Sequence, residues 1–100
     1  MKIRSKLEVE RYVGWKLVAE QKECGGLEIA RAATTDIKEC ADACYGISSM
    51  FIFGTNDFGR TRCDPKCHCF CETAATPDGT CNTVTSDGFR LFTYEKGMIY

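Results

Sequence analysis

The placement of cysteine constrains this chain more than any other feature it carries. Eight cysteines stand in 100 residues, in two unlike patterns: Cys40 and Cys44 are four residues apart, whereas Cys67, Cys69 and Cys71 alternate. Cysteine supplies eight of the 44 hydrophobic residues, which leaves 36% conventional apolar residues and a thin core. A domain near this size buries about 60–70% of its unfolded surface, and a chain with so little to bury depends on covalent staples or a metal. The length allows one small domain and is too short for a large multidomain enzyme.

The segment holding Cys40 and Cys44 is the clearest helix. Thr34-Thr35-Asp36 offers N-cap oxygens, Asp36 with Glu39 three residues on resembles a capping box, and Gly46 supplies a left-handed residue for the C-terminus. Ile37, Cys40, Ala41 and Cys44 fall at i, i+3, i+4 and i+7, so the buried stripe of this helix carries two cysteines. Lys38, Glu39 and Asp42 read as its solvated face.

Strand signals surround it. From residue 1 to 20 apolar and charged residues alternate, which predicts strands at about 3–12 and 14–20 with Gly14 as a bulge or break. Cys24-Gly25-Gly26 is a turn, and residues 27–30 can form a short strand. Residues 49–54 read as a strand buried on both sides, and 55–62 as a polar loop. Residues 67–72 alternate with period two, which sets three sulfurs on one face and His68, Phe70 and Glu72 on the other. Pro77-Asp78-Gly79 and Ser86-Asp87-Gly88 are turn signals, and residues 89–94 form the last strand.

Two uses of eight cysteines compete. Structural zinc takes Cys pairs at knuckle turns, two per tetrahedral ion, and the arrangement here is different, with Cys40 and Cys44 on a helix and Cys67, Cys69 and Cys71 alternating on a strand. Sulfurs on a strand face opposite sulfurs on a helix face can instead reach the ~4.4–6.8 Å Cα separation of a disulfide. Cys63, Cys67, His68 and Cys69 make the segment most like a metal cluster, but in a regular strand His68 faces away from the sulfurs. Disulfides are therefore expected for Cys24, Cys40, Cys44, Cys63, Cys67, Cys69, Cys71 and Cys81, with no metal and no cofactor.

Catalysis finds little support. A redox enzyme wants Cys-x-x-Cys at a helix N-terminus, and none occurs. A thiol hydrolase needs a histidine beside its nucleophile, and His68, the single histidine, is flanked by cysteines expected in bridges. The carboxylates Asp36, Glu39, Asp57, Asp64, Glu72, Asp78 and Asp87 are scattered over caps and turns, with no acid/base pair among them. Net charge of −1 offers no sustained positive field for nucleic acid. The longest apolar cluster, residues 50–53, is strand-sized, so no transmembrane segment is expected, and the first ten residues lack the apolar core of a secretory signal.

The Cys40-x3-Cys44 helix, the Phe51-Ile52-Phe53-Gly54 strand and the Cys67-His68-Cys69-Phe70-Cys71-Glu72 strand closing on Phe89-Arg90-Leu91-Phe92 resemble a PAN/apple domain over about residues 15–94. The resemblance implies an α+β fold: a single helix on an antiparallel sheet of about five strands, disulfide-stapled from helix to central strands. It divides the chain into an N-terminal strand-like arm (1–13), the domain (14–95) and a C-terminal tail (96–100). The cysteine triplet is richer than the usual family pattern, and the arm lies outside it. On this likeness Cys40 and Cys44 pair with two of Cys67, Cys69 and Cys71, leaving Cys24, Cys63, Cys81 and the remaining one for two more bridges, among about 105 formal connectivities.

The resemblance further implies a non-catalytic module, secreted or in another oxidising lumen, that binds a protein or a glycan. Candidate contacts are Asn56, Asp57, Phe58, Arg60 and Arg62 in the 55–62 loop, with Tyr12, Tyr94 and Tyr100. The alternative is a structural subunit docking on a larger assembly through residues 1–13 and 96–100, because exposed strand edges pair readily with another chain.

Overall fold

Met50–Gly54 is apolar at every position, so neither of its faces tolerates water, and the chain builds outward from it. The computed structural model describes residues 12–56 and 61–96. In chain order the elements are β1 (Tyr12–Cys24), β2 (Ile29–Thr34), α1 (Ile37–Cys44), β3 (Met50–Gly54), β4 (Cys67–Cys71) and β5 (Thr83–Lys96). The strands form one antiparallel sheet in the order β1-β5-β3-β4-β2, which sets β3 at its centre. Among the described residues, the molecule is therefore one helix on a five-stranded antiparallel sheet.

The two faces of β3 divide the core. On the helix side Phe51 meets Cys40, Ala41, Cys44, Cys69, Cys71 and Phe92, its ring stacked on Phe92 at 5.3 Å between centroids. On the other side Met50 and Ile52 meet Cys24, Phe89 and Leu91, with Phe70, Ala75 and Cys81 packed against them.

Four disulfides close the chain: Cys24–Cys81, Cys40–Cys69, Cys44–Cys71 and Cys63–Cys67. The two that tie the helix down follow from a match of repeat lengths. Four residues of helix advance about 6 Å and two residues of strand about 6.6 Å. Cys40 and Cys44 therefore fall opposite Cys69 and Cys71 in step, with Cα separations of 5.7 and 5.2 Å. Cys67 is left to its neighbour Cys63, and both pairs sit within the expected partition. A fully bridged set of cysteines belongs to an oxidising compartment. No helix among the described residues is long and apolar enough to cross a membrane.

Local chemistry departs from expectation at several points. Asp36 caps α1 by accepting from the Lys38 amide at 2.9 Å, but Glu39 does not return a bond to the Asp36 amide. That amide donates to Thr34 Oγ1, and the Thr34 hydroxyl donates to Glu39, so Thr34 stands between the two halves of the capping box. Asp42 stays on the solvated face, where it accepts from the Tyr12 hydroxyl and pairs with Lys38 one turn away. β1 runs unbroken from Tyr12 to Cys24, with register shifts near Gly14, Leu17 and Glu20 absorbing the irregularity. Of the arm expected over residues 1–13, residues 1–11 lie outside the described residues, and Tyr12 and Val13 open β1. The strand expected at 27–30 is instead Ile29–Thr34, an edge strand.

The largest departure is in β5. Ser86-Asp87-Gly88, read as a turn, lies within a 14-residue strand. Turn chemistry is still at work there: Gly88 has φ 84°, and pairing with β1 jumps from Lys22↔Thr85 to Glu20↔Arg90. The extra residues form a bulge rather than a reversal, because the strand on each side still finds β1.

Candidate functional site

The bulge and the 55–62 loop hold one another. Gly88 carbonyl accepts from the Thr55 amide at 2.7 Å, and Asp87 carbonyl accepts from Arg62 Nε at 3.2 Å. The Arg62 guanidinium lies 4.8 Å from the Phe89 ring centroid, a cation–π contact. Asn56 Oδ1 accepts from the amides of Arg62 and Cys63 at 3.1 and 2.9 Å and closes the neck of the loop. Asn56 and Arg62 thus have structural work of their own. Asp57, Phe58 and Arg60 lie outside the described residues, as does Tyr100. His68 faces away from the sulfurs, with ring centroids 6.4 Å from Phe70 and 6.5 Å from Phe89.

A concave site lies at the opposite end of β3. Helix α1 stops at Tyr45, Gly46 turns the chain with φ 88°, and Ser48 and Ser49 lead into β3. A second turn follows β4, where Thr76 carbonyl accepts from the Gly79 amide at 3.0 Å and the Thr76 amide donates to Thr80 carbonyl at 2.8 Å. Ser49 Oγ donates to Thr76 carbonyl and Thr93 Oγ1 to Ser49 carbonyl at 3.3 Å, which ties both turns to β5. Between them is a cleft of about 650 Å³, walled by Tyr45, Tyr94 and Thr93 and by the 76–79 turn, with Lys96 at its margin.

Its chemistry is mixed. Tyr12, Tyr45 and Tyr94 cluster with ring centroids 4.8, 4.9 and 5.2 Å apart. The Tyr94 hydroxyl donates to Ala41 carbonyl, and burial, then the neighbouring Tyr12 and Asp42, push its ionisation well above the ordinary tyrosine range. Asp78 accepts from the hydroxyls of Thr76 and Thr80, which hold its carboxyl below the usual carboxylate range. Tyr12 and Tyr94 are expected contacts from the sequence, whereas Tyr45, Ser49 and Thr76 are not. The signal available was the Pro77-Asp78-Gly79 turn, whose fold against β5 is a long-range event.

On the sheet face away from the helix, Glu72 is fully buried. Its Oε1 accepts from the Cys24 amide at 2.8 Å, while its Oε2 finds no donor except the Glu28 carboxyl. Loss of water, and then the Glu28 carboxyl beside it, push Glu72 up to about 8, against the pull of the Cys24 amide. Glu23 is raised by the same two causes, in the same order, with a hydroxyl bond from Ser86 opposing them. Glu23 and Glu28 were absent from the carboxylates singled out in the sequence, since nothing local joins them to Glu72. No family model, curated protein or solved structure matches this chain, so its site is read from its own residues.

Proposed function

We propose that this chain is a secreted, non-catalytic binding module of PAN/apple type, and that the cleft between the 45–49 and 73–79 turns takes a carbohydrate. The observation that supports this reading is the lining: two half-buried tyrosines beside serine and threonine hydroxyls and a carboxylate that stays ionised. Sugars present that same mixture, with apolar C–H faces for aromatic rings and hydroxyl rims for directed hydrogen bonds. Nothing in the cleft joins a nucleophile to a base, which favours recognition over chemistry.

A glycan array probed with the oxidised protein, followed by NMR titration of each hit, tests the proposal. Binding that shifts Tyr45, Thr76 and Asp78 signals, and that falls at least tenfold in Asp78→Asn, is the expected result. A blank array, or hits that leave those signals unmoved, overturns it.

A second reading, docking on a larger assembly, draws on the edge position of β1. Val13, Leu17 and Val18 are exposed there on a strand paired to β5 alone among the described residues, and such an edge can template another strand. Co-purification of a partner that shields the β1 amides from hydrogen exchange would favour it over the cleft.

A further inference from the structure

Away from the cleft, three carboxylates from distant parts of the chain converge. Glu23 is the last but one residue of β1, Glu28 stands in the turn before β2, and Glu72 directly follows β4. One oxygen from each lies within 4.8 Å of the others. Glu72 is moreover fully buried, and its Oε2 has no hydrogen-bond partner outside the cluster, where it faces the Glu28 carboxyl. A buried carboxylate oxygen beside two further carboxyls is costly unless a proton or a cation completes it, and a cation that replaces the proton can engage all three groups at once.

We propose that Glu23, Glu28 and Glu72 bind one hard divalent cation, with Ca²⁺ preferred. The donor set decides the class, because three carboxylates with no thiolate or imidazole suit Ca²⁺ or Mg²⁺ rather than zinc. Size then decides within it. Ca²⁺ is the larger ion and takes six to eight oxygens in flexible geometry, whereas Mg²⁺ demands a near-ideal octahedron and gives up its waters reluctantly.

The cage is held before any ion arrives. Glu23 adjoins the Cys24–Cys81 bridge and Glu72 adjoins Cys44–Cys71. The Glu28 turn is pinned by Gly25 amide to Asn82 carbonyl at 2.7 Å and Ala74 amide to Leu27 carbonyl at 3.1 Å. Glu28 itself is exposed, which gives the ion a way in and leaves coordination positions for water. The cation acting on Glu23 is Arg62, and its guanidinium is already engaged with Asp87 carbonyl and the Phe89 ring.

The oxidised full chain, stripped with chelator, is titrated with CaCl2 and separately with MgCl2 by calorimetry, thermal melting and NMR. The expected Kd for Ca²⁺ is on the order of 10⁻⁴–10⁻³ M, as in other rigid sites of few carboxylates. At 10 mM Ca²⁺ the melting temperature rises by about 6–20 °C, and amide shifts centre on Glu23, Cys24, Glu28 and Glu72. Glu28→Gln, at an exposed position, folds and weakens Ca²⁺ binding at least tenfold, while Glu95→Gln leaves it unchanged. The proposal is overturned by no response up to 10 mM Ca²⁺, by an equal response to Mg²⁺, or by a response that Glu28→Gln retains.

Discussion

The Glu72 carboxyl has one backbone donor, the Cys24 amide, for two buried oxygens, and it faces Glu28 and Glu23 with Ser86 and Arg62 beyond them. Its folded-state ionisation near 8 lies above the ordinary 4.5. Between those values the folded chain keeps a proton that the unfolded chain has released, so stability falls as pH rises through the window. With chelator present, the urea midpoint should drop from pH 5 to pH 8.5. Glu72→Gln, which keeps an acceptor for Cys24 and adds a donor toward Glu28, should flatten that drop and stabilise the protein at pH 8.5; a wild-type midpoint that climbs would contradict the assignment. Tyr94→Phe removes the hydroxyl bond to Ala41 carbonyl, which keeps the Tyr45 amide at 2.9 Å. The cost should be about 1 kcal/mol by urea unfolding. Residues such as Glu72 and His68 were legible only as positions on a strand face. Their neighbours come from 44 to 49 residues away for the glutamates, a proximity that only the closed disulfide frame creates.

Elements whose signals are local were legible, and those shaped by a distant partner were not. Helix α1 begins at its Asp36 cap and ends before Gly46, and β3 is the doubly buried strand its unbroken apolar run implies. β5 reads in the sequence as a turn and a short strand because Ser86-Asp87-Gly88 has the composition of a reversal, while β1 alongside keeps it in the sheet. The same bulge positions the loop after β3 so closely that Gly54 has no room for a side chain. A Cβ there would stand 2.7 Å from Arg62 Cβ and 2.9 Å from Arg62 carbonyl oxygen. Gly54→Ala should therefore cost about 1–3 kcal/mol, measured by urea unfolding, and should weaken the Arg62 contact with Phe89, read as a loss of the ring-current shift at Arg62. A neutral Gly54→Ala would mean that the loop neck yields easily.

At the scale of the whole molecule the bridges serve as core as well as staples. Of the twelve buried hydrophobic residues among those described, Cys24, Cys40, Cys44, Cys69 and Cys71 are five. The bridges are also nested: Cys24–Cys81, spanning 57 residues, encloses the other three, and Cys63–Cys67, spanning four, lies inside Cys40–Cys69. Loop-closure entropy makes an isolated bridge of the longer span worth about 4 kcal/mol and one of the shorter about 2. Nesting reduces the first figure, since closing the helix bridges already shortens the path between Cys24 and Cys81. Burial adds to it, since Cys24 sits in the face away from the helix and its amide holds Glu72. Cys24→Ala with Cys81→Ala should therefore cost about 3–4 kcal/mol in urea unfolding, and Cys63→Ala with Cys67→Ala about 2. The two pairs should differ in a second way. Losing Cys24–Cys81 frees the end of β1 that carries Glu23 and should abolish the Ca²⁺-dependent rise in melting temperature, whereas losing Cys63–Cys67 should leave it intact. Equal costs and an equal Ca²⁺ response in both variants would mean that the outer bridge neither encloses the fold energetically nor holds the carboxylates together.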